Sequence, residues 1–115
     1  MIPHGKYKPI RQTSPIEACS DMLGGKYKCH ILWNLLQNGS LRYSQLRKLV
    51  PCATARVLSK QLKELEKDGL LVRTVVSEKP LHVSYSLSAL GKKIEPLLLS
   101  MIEAGKELLY RRSSN

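Results

Sequence analysis

Residues 54–68 carry leucines and basic side chains at a spacing that restricts them to one conformation. Leu58, Leu62 and Leu65 recur at i, i+4 and i+7, which is one face of a helix turning about 100° per residue. Arg56, Lys60, Lys63 and Lys67 fall opposite, inside an arc of roughly 60° at that same angular step. Such a helix buries its leucines and turns a row of hydrogen-bond donors outward. Taken alone, that row is commonly no more than a solvated surface. The segments on either side of it narrow the reading.

Residues 43–50 form a shorter amphipathic segment with Leu46, Leu49 and Val50 inward, and Pro51 ends it because proline cannot continue a helix. Pro51, Cys52 and Ala53 make a turn, and Thr54 is placed to cap the leucine-backed helix, which closes at Asp68 and Gly69. Two helices joined by about four residues are a helix-turn-helix. Behind them, residues 71–76 and 81–87 are rich in β-branched side chains and flank Ser77, Glu78, Lys79 and Pro80, which predicts a hairpin. A hairpin in that position is a wing. The fold class is therefore mainly α with a small β-hairpin (α+β), a winged helix-turn-helix.

The rest of the chain supplies supporting helices. Residues 1–13 hold Lys, Arg and Pro without periodicity and predict a mobile basic arm. Ser14 as N-cap, Pro15 in the first turn and Glu17 as the far half of a capping box open a first helix with Ile16, Cys19, Met22 and Leu23 on its apolar face. Gly24 and Gly25 end it. A second helix from about Lys26 carries Ile31, Leu32, Leu35 and Leu36 inward, with Trp33 assigned to the core, until Asn38 and Gly39; a brief extended stretch at Ser40 and Leu41 follows. Ser88 is read as the cap of one last long helix, bent near its start by Pro96, in which Ile94, Leu97, Met101, Ala104 and Leu108 repeat in steps of three and four. That stripe could cover the domain's own core. The small chain and the demands of DNA reading favour a seam between two copies, with Ile16 and Cys19 added from the first helix. The domain then spans 14–112, with a tail at 113–115.

The formal charge is +10, from 19 Lys and Arg against 9 Asp and Glu, with a pI near 9.8. That charge asks for an acidic partner, a nucleic acid or an anionic membrane. No apolar run approaches the ~20 residues of a membrane span, and the first eleven residues lack a signal peptide's apolar core, so the expected location is the cytoplasm with no membrane partner. Cys19, Cys29 and Cys52 are odd in number and widely spaced, without a Cys-x-x-Cys pair or a ligand-spaced His, which argues against a disulfide framework and a metal site. Cys29 and His30 are neighbours and on a helix point about 100° apart, the wrong geometry for a nucleophile and its base. With no phosphate loop and no acid–base–nucleophile set, no enzyme and no cofactor is expected. A winged helix can also bind protein or RNA, which is the alternative reading. The Arg56, Lys60, Lys63 line favours a polyanion.

These residues together resemble the HxlR-type winged helix-turn-helix regulators of bacteria and archaea, which are related to MarR. The resemblance runs from about Pro15 to Gly105. It is carried by Gly24, Gly25, Lys26, Tyr27 and Lys28 before Ile31, Leu32 and Trp33, and by Arg42, Tyr43 and Leu46. It is densest at Val57, Leu58, Ser59, Leu62, Lys63, Glu64, Leu65, Glu66, Asp68, Gly69, Leu70 and Arg73, and closes with Pro80, Tyr85, Ser86, Leu87 and Gly91. It implies a homodimer through the terminal helices, with the helix at 54–68 in the major groove and the wing on the DNA backbone. Some relatives sense oxidants through a Cys before Pro near the N-terminus; this chain has Ser14 there, so that sensor is expected to be absent. Ala104 stands before Gly105 where the family often has Trp, and Tyr27 replaces another Trp.

Within the recognition helix the residues divide by position. Arg56 and Lys67 are about 16 Å apart along the axis, while recognition helices present mainly their N-terminal end to base edges. Arg56, with Thr54, Ala55 and Ser59, is assigned to bases, because Arg reads guanine in bidentate fashion and small side chains accept a thymine methyl. Lys60 and Lys63 are assigned to phosphates. Lys67, beside Glu66 and Asp68, supports the helix C-terminus instead. Arg42 is a further phosphate anchor; Arg73, Lys79 and His82 are the wing's candidates, with Lys79 at the tip, whereas Val75, Val83 and Tyr85 are read as packing beneath it. Cys52, just before the recognition helix, is the redox candidate among the three thiols. No effector can be named from the sequence.

Overall fold

The computed structural model describes residues 14–114; the segment 1–13, read above as a basic arm, and Asn115 lie outside the described residues. The elements are α1 (Pro15–Leu23), α2 (Lys28–Asn38), β1 (Ser40–Arg42), α3 (Tyr43–Leu49), α4 (Ala55–Lys67), β2 (Leu71–Glu78), β3 (Leu81–Leu87), α5 (Ala89–Lys92) and α6 (Glu95–Ser113). The capping logic holds where the sequence placed it on α4: Thr54 is extended and its side chain accepts from the Val57 N–H, and Asp68 is the C-cap. At α1 only half of the expected box forms. Ser14 accepts from the Glu17 N–H, but one buried Glu17 carboxylate oxygen has no partner among the described residues. At α2 the two preceding glycines delay the helix to Lys28, two residues later than expected.

The sheet is larger than a hairpin. Its strand order is β1-β3-β2, all antiparallel, with Leu41 opposite Tyr85 and Arg73 opposite Tyr85 on the other side. The extended stretch after α2 is thus a third strand that ties the start of α3 to the wing. A bulge lies between Val75 and Ser77, and β2 runs on to Glu78, so only Lys79 and Pro80 turn the hairpin. Val83 packs against the core and Tyr85 is buried, as expected, but Val75 is 43% exposed. It stands in the outer half of β2, paired with Val83 just before the bulge.

Beneath the sheet, one core gathers Met22, Ile31, Leu32, Leu35, Leu46, Leu58, Leu62, Leu65, Leu71, Leu87 and Leu98, with Trp33 and Leu36 at its margin. Leu49, expected inward, is 46% exposed. At about 100° per residue it lies about 60° from Leu46, while Val50 lies about 40° to the other side and takes the core position. The long terminal helix is also corrected. Ser88 caps the four-residue α5, and a break at Lys93 and Ile94 precedes α6, which has Pro96 in its first turn. A Cβ at Gly91 would collide with the Leu70 carbonyl oxygen, so only glycine lets α5 approach the connection between α4 and β2 this closely. Ser88 completes that joint, donating to the Gly69 carbonyl at 2.5 Å and accepting from the Gly91 N–H at 3.0 Å.

Candidate nucleic-acid interface

The leucine face of α4 is fully buried: Leu58 and Leu65 are inaccessible and Leu62 is 1% exposed. Burial of that face fixes the rotation of the helix, and Arg56, Lys60, Lys63 and Lys67 are all exposed opposite it. Thr54 and Ala55 are exposed at the N-terminal end, although the Thr54 hydroxyl is engaged as the cap. Ser59 is set further back. It is half-buried, with its hydroxyl 3.1 Å from Tyr43 Oη, which also donates to the Ala55 carbonyl at 3.4 Å.

Between α4 and the wing runs an open cleft of about 470 Å³, lined by Tyr43, Ser59, Lys63, Arg73, Val83 and Tyr85 among others. It brings Lys63 of the helix and Arg73 of the wing to one groove. Arg42 is the residue before α3, exposed, with Nη1 3.4 Å from His82 Nδ1, so these two candidates share the β1–β3 side of the wing. Lys79 is exposed at the tip. The molecule therefore groups the cations in two sets, one along α4 and its cleft, the other at the wing's edge and tip.

Sequence reasoning missed the groups that hold α4 in place. Gln61 is 7% exposed and accepts from the Tyr27 N–H at 2.9 Å; Lys28 is 5% exposed and lies 3.6 Å from Glu64 Oε1. Both had a legible signal in their spacing. Gln61 lies between Leu58 and Leu65 on the apolar side, and Lys28 is three and four residues before Ile31 and Leu32.

Of the terminal-helix residues assigned to a dimer seam, Ile94 and Leu97 pack at the margin of this chain's own core. Ile16, Cys19, Met101, Ala104 and Leu108 are exposed. The apolar stripe of α6 is thus divided, its first turn used within the chain and its remainder uncovered, with Leu109 and Tyr110 beside it at 64% and 62% exposure.

Cys52 is exposed in the turn before α4, and its carbonyl accepts from Tyr27 Oη at 3.1 Å. Cys19 is exposed and Cys29 half-buried, and burial pushes the Cys29 thiol above its ordinary range. A raised thiol holds less thiolate at any pH below it, and the thiolate is the nucleophile. Timed alkylation near neutral pH, followed by mass spectrometry, is therefore expected to modify Cys52 well before Cys29, with the gap closing as pH rises. Cys29 labelling first would contradict its burial.

A two-helix reading unit with a paired β-wing behind it and a cationic second helix defines the winged helix-turn-helix regulators. More narrowly, the chain belongs to the HxlR-like helix-turn-helix family, which its residues 22–113 match. It is 41% identical over 93 residues to the HTH-type transcriptional regulator YdeP of Bacillus subtilis, covering 81% of this chain and 72% of that one. It is 38% identical over 91 residues to an HTH-type transcriptional regulator of Methanothermobacter thermautotrophicus, covering 79% and 69%. Among solved structures, the redox regulator HypR in its reduced form superposes with a TM-score of 0.80 at 36% identity, covering 89% of this chain and all of that one. The transcriptional regulator YtcD superposes with a TM-score of 0.78 at 37% identity, covering 84% and 98%. No helix among the described residues is long and apolar enough to cross a membrane.

Proposed function

We propose that the protein is a cytoplasmic transcriptional regulator that binds an inverted-repeat operator in double-stranded DNA as a homodimer. The observation that carries this reading is the exposed cationic face of α4, held outward by a fully buried leucine face and adjoining a wing with further cations. The N-terminal end of α4 enters the major groove with Arg56 on base edges, flanked by Thr54 and Ala55; Ser59, set back against Tyr43, touches the margin of the groove. Lys60 and Lys63 hold phosphates, Arg73 joins Lys63 across the cleft, and Arg42 and Lys79 reach the neighbouring backbone. The second copy meets the first through the uncovered residues of α1 and α6, Ile16, Cys19, Met101, Ala104 and Leu108, with Ile94 and Leu97 behind them. Modification of exposed Cys52 would act on the turn that feeds α4.

Selection of bound fragments from genomic DNA tests this directly. The expected consensus is two inverted half-sites about one helical turn apart. On that consensus, Arg56→Ala is expected to cost about 1–3 kcal/mol and to relax preference at one or two base pairs, whereas Lys63→Ala weakens all duplexes alike. Fluorescence anisotropy on the consensus and its single-base variants separates the two. An unstructured consensus, or two variants with the same profile, would refute the assignment.

A further inference from the structure

The end of the α1–α2 connection and the first residue of α2 grip the recognition helix from behind. The Tyr27 backbone N–H donates to Gln61 Oε1, Tyr27 Oη donates to the Cys52 carbonyl, and Lys28 Nζ faces Glu64 Oε1, at 2.9, 3.1 and 3.6 Å. Lys26 Nζ lies 5.5 Å over the Tyr27 ring. Gly25 makes room for this arrangement, since a Cβ there would stand 2.7 Å from Lys28 Cδ and Cε. The three contacts reach the chain just before α4 and again at its second and third turns. A rod held at two separated points has its tilt fixed, and a side chain bonded off the axis fixes its rotation. The Lys28–Glu64 pair has one partner nearly dry and the other half-exposed, so it adds little net stability; what such a pair supplies is a defined geometry.

From this we infer that Tyr27, Lys28 and Gln61 are positioning residues for DNA reading: they set the angle at which α4 meets the groove, and so the margin between operator and unrelated sequence. The inference rests on the DNA-reading role proposed for α4. Base-edge hydrogen bonds are lost with displacements of a few tenths of an ångström to one ångström, whereas a lysine follows a phosphate on a flexible stem. A loosened α4 would therefore lose discrimination before it loses general affinity.

Tyr27→Phe removes one hydroxyl and leaves the ring in place, while Tyr27→Trp restores an N–H donor on a ring of comparable reach. With Tyr27→Phe, affinity for the selected operator is expected to fall about three- to tenfold, the scale of one net hydrogen bond. Affinity for unrelated duplex and the salt slope are expected to stay as in the parent, the thermal midpoint to fall by no more than a few degrees, and Tyr27→Trp to recover most of the loss. Amide hydrogen exchange over residues 53–58 is expected to quicken in the Phe variant alone. Equal losses on operator and unrelated DNA, or a Phe variant that matches the parent in both binding and exchange, would overturn the positioning role. A parent protein with no sequence preference would instead remove the DNA-reading premise, and the exchange comparison would still decide whether the clasp holds α4.

Discussion

Raising monovalent salt from about 50 to about 200 mM is expected to weaken operator binding by roughly 10³- to 10⁵-fold. Each phosphate neutralised by a fixed cation releases condensed counterions, so the logarithm of affinity falls against the logarithm of salt with a slope of about −0.9 per contact. Lys60, Lys63, Arg42, Arg73 and Lys79 give five candidate contacts in each copy. A homodimer therefore offers about ten, the upper end of the range that produces such a fall. All five are exposed, and none belongs to the ion pairs found among the described residues, which join Lys28 to Glu64, Lys106 to Glu103 and Arg111 to Glu107. They enter the complex without first breaking an ion pair. Lys63→Ala removes one contact per copy and is expected to reduce the slope by about two, while Lys67→Ala, at the end of α4 beside Glu66 and Asp68, leaves it nearly unchanged. Anisotropy titrations at four or five salt concentrations measure both. A parent slope shallower than about −3 would mean that most of these cations stay in solvent, leaving the row on α4 an ordinary hydrated surface.

The helix-turn-helix was readable because its determinants are local. An unbroken leucine period, a Thr cap and Pro51 each act within one or two turns, and the structure places α4 and its caps at the residues those signals mark. Features set by contacts between distant segments were not readable in the same way. The pairing of β1 with β3 depends on residues more than forty apart, and Ser40 to Arg42 is too short to show a period. The bulge after Val75 shifts the register by one residue, and β2 runs on to Glu78. Lys28 and Gln61 were concealed by their polarity, because polar side chains are placed outward by default although their spacing put them on the buried sides of α2 and α4. Ser88 and Pro96 carried signals that belong to two helices, α5 and α6, where one continuous helix was expected.

The largest effect on stability is expected at Leu58. Leu58→Ala empties a fully buried position under the N-terminal half of α4 and is expected to cost about 2–5 kcal/mol, the removed methyl groups' transfer energy plus the cavity they leave. Domains of this size hold about 5–15 kcal/mol in total, so the variant gives up a large share of the margin. At about 4–8 °C per kcal/mol for a domain near 100 residues, the thermal midpoint is expected to drop by at least about 8 °C. Leu81→Ala is the matched control, because the same chemical change at a wing residue 63% exposed is expected to stay within about 0.5 kcal/mol. Both must be melted at one protein concentration, since dissociation of a dimer contributes to the midpoint. The comparison bears on function because the leucine face is what turns Arg56, Lys60 and Lys63 outward. If Leu58→Ala melts with the Leu81→Ala control, α4 is not seated on its leucines, and the direction in which its cations point loses its physical cause.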